Sequence, residues 1–434
     1  MSDVAIGFAG LAGVLLALLL RLPVSVALGG VSLICISLII GLDSAVHILS
    51  IVPYEFSAHW SLSSIPMFLL MGYVAYHAGM TEGLFRLAQL WLSAVRGGLA
   101  HASIVGAAMF SAVTGSSLAC AAAMGRVAVP EMLRYRYDVG LAAGVVAAAG
   151  TLGSLIPPSV LFLIYGNLAE VPIGKLFIGG VLPGILTAVM YMAVVAIRTA
   201  RNPQMVPAVS AAPMRERLLA VRESWPMLAL VLGVFGGLFA GVMTATEAGA
   251  LGAFLATAIA VARRTLSLKA FKSAVLDTLH STASIFAIAV GAALMTRMLA
   301  LTGVPDYLAG LAVLVKDQPY LLVLGVSVIY LLLGCFLDPI GILLLTLPIL
   351  LPMFEAAEID LIWMGVILVK YVEIGLITPP VGLNVFVIKG VLGRDVELGQ
   401  VFRGVAWFIV ADIVTVGLLI VFPEISLYLT RFVN

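Results

Sequence analysis

Gly153-Ser154-Leu155-Ile156-Pro157-Pro158 and Gly375-Leu376-Ile377-Thr378-Pro379-Pro380 interrupt two long apolar runs and lie 222 residues apart. Proline has no N–H and disfavours helix in the residue before it, so each pair frees backbone carbonyls in the middle of a hydrophobic segment. Hydrocarbon cannot satisfy them. Irregular backbone at membrane depth persists only inside protein or beside a wet cavity, and in transporters such broken helices hold substrates and ions. The two breaks therefore predict a secondary transporter.

Composition agrees. The 434 residues are 62% hydrophobic and 10% charged, with a mean hydropathy of +1.18, which is too apolar for a soluble globule and predicts an all-α polytopic membrane protein. The net charge is +1 and no basic cluster offers a phosphate-binding face, so nucleic acid is not expected as a partner. Cys35, Cys120 and Cys335 lie in apolar surroundings without CxxC spacing and read as packing residues. The first basic residue is Arg21, after the apolar run 4–20, which predicts a retained first span rather than a cleaved leader.

Apolar segments fall at 4–20, 24–42, 62–80, 99–131, 139–168 and 175–197, and after a polar linker at 225–242, 246–262, 278–303, 320–353, 360–392 and 402–422. At the fixed offset Gly30 matches Gly252, Leu99 matches Leu321, Pro130 matches Pro352, and both breaks coincide. The runs 99–131 and 320–353 exceed the roughly 20 residues a crossing helix needs. Each is interrupted near its middle, by Thr114-Gly115-Ser116-Ser117 and by Asp338-Pro339-Ile340-Gly341. A re-entrant hairpin fits each better than one long span. The expected organisation is a first repeat at 1–197, with hairpin 99–131 and broken helix 139–168, a cytoplasmic linker at 198–224, and a second repeat at 225–434, with hairpin 320–353 and broken helix 360–392. Five crossings plus one hairpin per half make the second repeat inverted, with both breaks at the midplane.

Charge tests that topology independently, because orientation was not used to count spans. Placing Arg21, 81–98, 132–138, the linker, 263–277 and 393–403 in the cytoplasm puts 16 Lys and Arg inside and three, Lys175, Lys316 and Arg431, outside. Both termini come out external. Segments 82–97 and 304–318 then read as short amphipathic arms preceding the hairpins, with Leu84, Leu87, Ala88 and Trp91 at helical spacing in the first.

Polarity within these runs is confined to four places, which favours alternating access over a channel with a continuous polar stripe. At the first tip Thr114, Ser116 and Ser117 supply hydroxyl oxygens and Gly115 lets the chain turn. Oxygen-only ligation suits a hard cation such as sodium, although small residues at a tip also serve close helix packing. Gly150-Thr151-Leu152-Gly153-Ser154 through Pro157-Pro158-Ser159 would complete that shell. The second tip carries Asp338, which is costly at membrane depth unless solvated or paired, and which also suits an N-cap before Pro339. Opposite it lie Thr378, Pro379, Pro380 and Asn384, with Glu373 one turn earlier. Arg126 is placed to meet an anionic substrate or to snorkel. Arg297, Lys370 and Lys389 read as interface anchors or as partners of Glu373 and Asp412. No histidine neighbours Ser116 or Ser117 in sequence, so an intramembrane serine hydrolase, the reading from a second class, would need a Ser and a His that meet only in space.

Thr114-Gly115-Ser116-Ser117, Ala121-Ala122-Ala123-Met124-Gly125-Arg126, Pro130-Glu131-Met132, Leu337-Asp338-Pro339, Leu347-Pro348-Ile349-Leu350-Leu351-Pro352 and above all Glu373-Ile374-Gly375-Leu376-Ile377-Thr378-Pro379-Pro380-Val381-Gly382-Leu383-Asn384 resemble the large membrane subunit of the tripartite ATP-independent periplasmic (TRAP) transporters. The resemblance spans nearly the whole chain. It implies a sodium-driven elevator importing an organic acid, such as a C4-dicarboxylate or sialic acid, delivered by a periplasmic binding protein and assisted by a separate small four-helix membrane subunit, in the cytoplasmic membrane of a bacterium or archaeon. It places sodium at Thr114, Gly115, Ser116 and Ser117 with Gly153 and Pro157, and at Asp338, Pro339 and Gly341 with Gly375, Thr378 and Pro379. Ser159, Arg126 and Asn384 are the expected substrate contacts. No other cofactor is expected. The alternative is a stand-alone sodium- or proton-coupled carboxylate symporter of the same architecture.

Overall fold

The computed structural model describes residues 2–207, 211–313, 318–393 and 396–432; Lys316 and Arg394, used above for orientation, lie outside them. The described residues form helices and turns with no strand. Among the described residues six helices are long and apolar enough to cross a membrane, including Ile173–Arg201, Leu268–Thr302 and Leu398–Val421. Large apolar side chains such as Phe254 and Ile413 on these helices, and Leu16, Leu38, Leu232 and Leu324 on shorter apolar ones, are exposed, a surface suited to lipid. The chain is an all-α polytopic membrane protein.

Both overlong runs are helical hairpins. Gly98–Thr114 turns through Gly115, at φ +61°, into Ser117–Arg134. Pro319–Gly334 turns into Pro339–Ala356. The second tip spans 335–338, so Pro339, Ile340 and Gly341 lie in the first turn of the return helix and not in the interruption itself. Pro339 is tolerated there because a helix's first N–H groups have no intrahelical partner. The return helices begin and end 222 residues apart, and so do their N-caps, Ser116 and Asp338. The next helices, Val139–Gly150 and Leu361–Gly375, are capped by Asp138 and Asp360, whose carboxylates accept from Leu141 N and Trp363 N at 2.8 Å. Each then breaks, before Val160–Leu168 and before Leu383–Leu392, and the Pro157-Pro158 and Pro379-Pro380 peptides are both cis. The arms preceding the hairpins are Met80–Leu92 and Val304–Val313.

The halves differ before the hairpins. Leu268–Thr302 is one unbroken helix of 35 residues, where the apolar pattern marks only 278–303. Its first turns carry Lys269, Lys272 and Asp277, which hide it from a hydropathy reading. The corresponding stretch of the first half is split into Leu42–Ser57, a short 3₁₀ turn at Trp60–Ser63, and Ser64–His77. Leu42–Ser57 is absent from the sequence reading because Asp43, Ser44, His47 and Ser50 dilute its apolar residues. It packs through Ala45 and Val52, and Phe56 meets Phe286 edge to face at 6.4 Å. The linker carries a helix of its own, Met214–Glu223.

Small residues let the halves approach. Gly140 and Gly144, one turn apart, face Gly404 of Leu398–Val421; a Cβ on Gly404 would lie 1.9 Å from the Gly140 carbonyl oxygen. In lipid, where no hydrophobic force drives helices together, such small-residue seams are how backbones reach packing distance. Halves also interleave at the breaks: Leu383–Leu392 packs on Ser117–Arg134 and Val160–Leu168 packs on Pro339–Ala356.

The charge pattern gives a topological prediction that the structure makes practicable, because Gln204 in the linker and Glu355 after the second hairpin are both exposed. On a background lacking the three native cysteines, an impermeant maleimide applied to intact cells should label Glu355→Cys and spare Gln204→Cys. Labelling of Gln204→Cys would overturn the orientation.

Candidate functional site

The first tip is pressed onto the first break. Val160 N donates to the Gly115 carbonyl at 3.1 Å, and a Cβ on Gly115 would sit 2.7 Å from the Pro158 carbonyl oxygen. Gly153 faces the Ser116 backbone, its would-be Cβ 2.6 Å from the carbonyl oxygen. Thr114, Gly115, Ser117, Gly153 and Pro157 are buried and Ser116 is half-buried. The structure thus brings together all the residues expected at the first ion site. In the second half the backbone approach is one turn earlier: Gly375 meets Gly334, its would-be Cβ 2.5 Å from the Gly334 Cα. Asp338 caps its helix, accepting from Gly341 N at 3.0 Å, and Thr378 Oγ1 donates to the Ile374 carbonyl at 2.7 Å. Pro379 and Pro380 are exposed, whereas Pro157 and Pro158 are buried.

Both tips open on one cavity of ≈ 730 Å³. Ser116, Ser117 and Ser154 line it from the first half, and Asp338, Pro339 and Ile340 from the second. The opposite wall is polar too. It comes from Leu268–Thr302, through Asp277, His280, Ser281 and Ser284. These residues were missed because the sequence reading assigned polarity only to tips and breaks; a serine every turn or so with His280 on one helical face was the available signal. Tyr73 fixes Ser281, hydroxyl to hydroxyl at 2.7 Å, and His77 Nε2 lies 2.8 Å from Asp277 Oδ2.

An adjoining cavity of ≈ 190 Å³ shares Tyr73, Ala122 and Asp277 with the first and is lined by Thr114 and Arg126. Arg126 Nη1 donates to Tyr76 Oη at 2.7 Å. Of the three expected substrate contacts, Arg126 lines one of these two cavities and Ser159 and Asn384 line neither. Ser159 is buried and caps Val160–Leu168, accepting from Phe162 N at 3.3 Å. Asn384 is buried, with Nδ2 donating to the Ala147 carbonyl at 3.2 Å.

Behind the tips runs a buried polar network. Ser117 Oγ donates to Glu373 Oε2 at 2.6 Å and lies 2.9 Å from Ser154 Oγ. Three residues before Glu373, Lys370 Nζ meets Asp412 Oδ1 at 2.5 Å, with both side chains almost wholly buried. Tyr191 Oη donates to the Asp412 carboxylate at 2.8 Å and lies 2.9 Å from Thr151 Oγ1, at the start of the first break. Thus both broken helices are joined through side chains of opposite halves. The other flagged cations have local partners: Arg297 pairs with Glu55 at 3.5 Å, and Lys389 donates to the Gly393 and Val396 carbonyls.

The chain as a whole matches a known family. The family model described as the tripartite ATP-independent periplasmic transporter, DctM component, matches residues 11–425. The chain belongs to this family. It is 35% identical to the C4-dicarboxylate TRAP transporter large permease protein DctM of Pseudomonas aeruginosa, over 90% of this chain and 91% of that protein. It is 31% identical to the sialic acid TRAP transporter large permease protein SiaM of Vibrio cholerae, over 86% of each. An isethionate TRAP transporter permease protein, DctMQ of Oleidesulfovibrio alaskensis, is 33% identical over 77% of this chain and 53% of its own length. Among solved structures, the YdaH transporter of Alcanivorax borkumensis aligns at a TM-score of 0.58 and 15% identity, over 89% of this chain and 91% of that one. At that identity the likeness speaks for the fold alone. This TRAP permease component is a transporter subunit and not an enzyme.

A charge pair sealed from water is stable only while both members remain, since removing one leaves the other uncompensated. Lys370→Met should destabilise the protein by about 3–5 kcal/mol, and the double variant Lys370→Met with Asp412→Leu should recover most of the loss. Unfolding of the purified proteins checks this; a single variant as stable as the parent would mean the pair is dispensable.

Proposed function

We propose that this chain is the large permease subunit of a sodium-coupled TRAP transporter that imports an organic acid by an elevator movement. What supports the reading is the single cavity walled by both hairpin tips on one side and by Leu268–Thr302 on the other, with a guanidinium, Arg126, in the adjoining space. Oxygen donors at the tips suit a hard cation, and an arginine suits a carboxylate. The relatives named above are assigned a C4-dicarboxylate, a sialic acid and an isethionate. All three are organic acids. A C4-dicarboxylate, a sialic acid or a related carboxylate is therefore the proposed cargo, with sodium as the coupling ion at Thr114–Ser117 with Gly153 and Pro157, and at Asp338–Gly341 with Gly375, Thr378 and Pro379. Ser159 and Asn384 would act from behind the wall, by holding the backbone of the breaks.

The proposed partners are a periplasmic binding protein and a small four-helix membrane subunit, in keeping with a family described as tripartite. The proposed location is the bacterial or archaeal cytoplasmic membrane, with both termini in the periplasm. Each repeat, 1–197 and 225–434, contributes one hairpin and one broken helix to the carrying unit. The holding unit comprises the spans at 4–42 and 225–262, and the packing of Leu268–Thr302 along Val24–Ile40 supports counting that helix with it.

Proteoliposomes containing the permease and its small subunit should take up the acid only with the binding protein present and an inward sodium gradient. Uptake without the binding protein would favour a stand-alone symporter. Asp338→Asn should raise the half-saturating sodium concentration by about tenfold or more, equivalent to about 1.4 kcal/mol, and an unchanged value with correct assembly would remove Asp338 from the ion site.

The boundary between the two units can be tested directly. Val24 lies against the first turn of Pro339–Ala356, its Cγ1 3.3 Å from where a Cβ on Gly341 would be. A quantitative crosslink from Val24→Cys to a cysteine in that turn should abolish uptake while sodium binding remains measurable. Full uptake through the crosslinked protein would rule out an elevator stroke there.

A further inference from the structure

The guanidinium in the smaller cavity has no counter-ion. Arg126 donates to Tyr76 Oη at 2.7 Å, and no carboxylate among the described residues pairs with it, whereas Arg297 and Lys370 each have an acidic partner. Its side chain is exposed, so the rest of its donor fork is open to a ligand. Ala119, Ala122, Ala123 and Arg126 share one face of Ser117–Arg134 and line the ≈ 190 Å³ cavity. Leu69, Gly72, Tyr73 and Tyr76 repeat that spacing on Ser64–His77 and form the facing wall. The smaller cavity is thus a slot between two helical faces. It joins the ≈ 730 Å³ cavity at Ala119 and Ala122, which line both. Asp277 also lines both, with Oδ2 held 2.8 Å from His77 Nε2. The large cavity offers the hydroxyls of Ser116, Ser281 and Ser284 and the carboxylates of Asp277 and Asp338, but among the described residues no Lys or Arg lines it.

We propose that the slot is the acid-group subsite of the cargo site, and that the cargo is a slender monocarboxylate with a neutral, hydroxylated body. The inference rests on the organic-acid reading above and deepens it by naming the cargo's chemistry and the residues that select it. Arg126 takes the carboxylate on its remaining N–H groups, in the forked geometry that suits a planar anion. Tyr76 is a positioning residue, whose hydroxyl accepts from Nη1 and holds the fork in the slot. The alanine face admits an unbranched chain beside the carboxylate, and a larger side chain at Ala122 would close the passage between the cavities. The hydroxylated remainder of the cargo then lies against the serines of the large cavity. A second carboxylate there would face Asp277 and Asp338 with no cationic side chain to meet it, which selects against a dicarboxylate. Sodium at Asp338 would offset that one charge and leave none over. Tyr76 also ties the subsite to one state. Ser64–His77 packs along Ala245–Ala262 and Leu268–Thr302, on the holding side, while Arg126 rides on the hairpin. The Arg126–Tyr76 contact therefore crosses the boundary between the units, and the subsite is complete only in the arrangement seen here.

The test is thermal stability of the full chain in nanodiscs at saturating sodium and constant ionic strength, titrated with gluconate, an open-chain hydroxylated monocarboxylate, and with succinate, a dicarboxylate. Gluconate should act at a half-saturating concentration at least about tenfold below that of succinate. Arg126→Lys keeps the charge and a snorkelling stem but loses the fork, and should raise the gluconate value about tenfold. Tyr76→Phe should raise it about threefold to tenfold, the usual weight of one hydrogen bond. The half-saturating sodium concentration of Tyr76→Phe should stay at the parent value, which a general loosening of the fold would shift. Ala122→Leu should lose the gluconate response and keep the sodium response. Parent-like gluconate values in Arg126→Lys and Tyr76→Phe would overturn the subsite, and a parent responding to succinate at an equal or lower concentration would overturn the cargo class. If Ala122→Leu does not fold, Ala122→Val should raise the gluconate value at least about threefold, and a parent-like value overturns the selecting role of the alanine face. Sodium-driven uptake of any acid by the complete transporter, together with no response of the parent to gluconate, would overturn this inference and leave the organic-acid reading standing. No uptake of any organic acid would sink both.

Discussion

Asp412 and Lys370 meet where neither has water to fall back on, and the rest of the transporter's centre is arranged around keeping them together. Hydrocarbon makes an uncompensated charge or a free backbone group expensive, and this chain places both kinds at the same depth. The solution is mutual. The freed backbone of the first break is pinned by the tip at Gly115, the tip's Ser117 by Glu373, and the helix carrying Glu373 by Lys370, whose partner Asp412 is held by Tyr191, itself against Thr151 of the first break. Two links of that circuit, Ser117 to Glu373 and Tyr191 to Asp412, cross between the halves. Neither half therefore satisfies all of its own buried polar groups, which gives the interleaving of Leu383–Leu392 with Ser117–Arg134 an electrostatic reason beside the steric one.

Much of this was legible in the residues. The hairpins were readable because a run of about 33 apolar residues with a polar middle has few other solutions. The breaks were readable because two adjacent prolines cannot continue a helix. The family resemblance follows the same motifs. What escaped was amphipathic. Leu42–Ser57 and the first turns of Leu268–Thr302 carry enough polar residues to fall below a hydropathy threshold, although they are continuous helix. The cavity wall at Asp277–Ser284 escaped for the same reason.

Partner choice was the other illegible part. The sequence offered Glu373 and Asp412 as alternative partners for Lys370, and only the relative rotation of Leu361–Gly375 and Leu398–Val421 assigns Lys370 to Asp412. That assignment leaves Glu373 facing the first tip. Likewise Asn384 and Ser159 have the residue type of ligands, yet their helices turn them away from the cavity and toward backbone. Residue type and spacing along a helix limit what a side chain can bind; they do not say which neighbour it faces.

The unbroken helix Leu268–Thr302 has a mechanical consequence. Its 35 residues make a rod about 52 Å long at 1.5 Å per residue, against a hydrocarbon core of about 30 Å. Such a rod must tilt or protrude, and a thinner bilayer demands more of either. Asp277 and Ser284 lie about 14 and 24 Å along it, so any change in tilt raises or lowers the polar wall relative to the lipid. Its first-half counterpart, split at Trp60–Ser63, is jointed and can absorb such a change locally. Membrane thickness is thus a mechanical input to one side of the cavity and much less to the other.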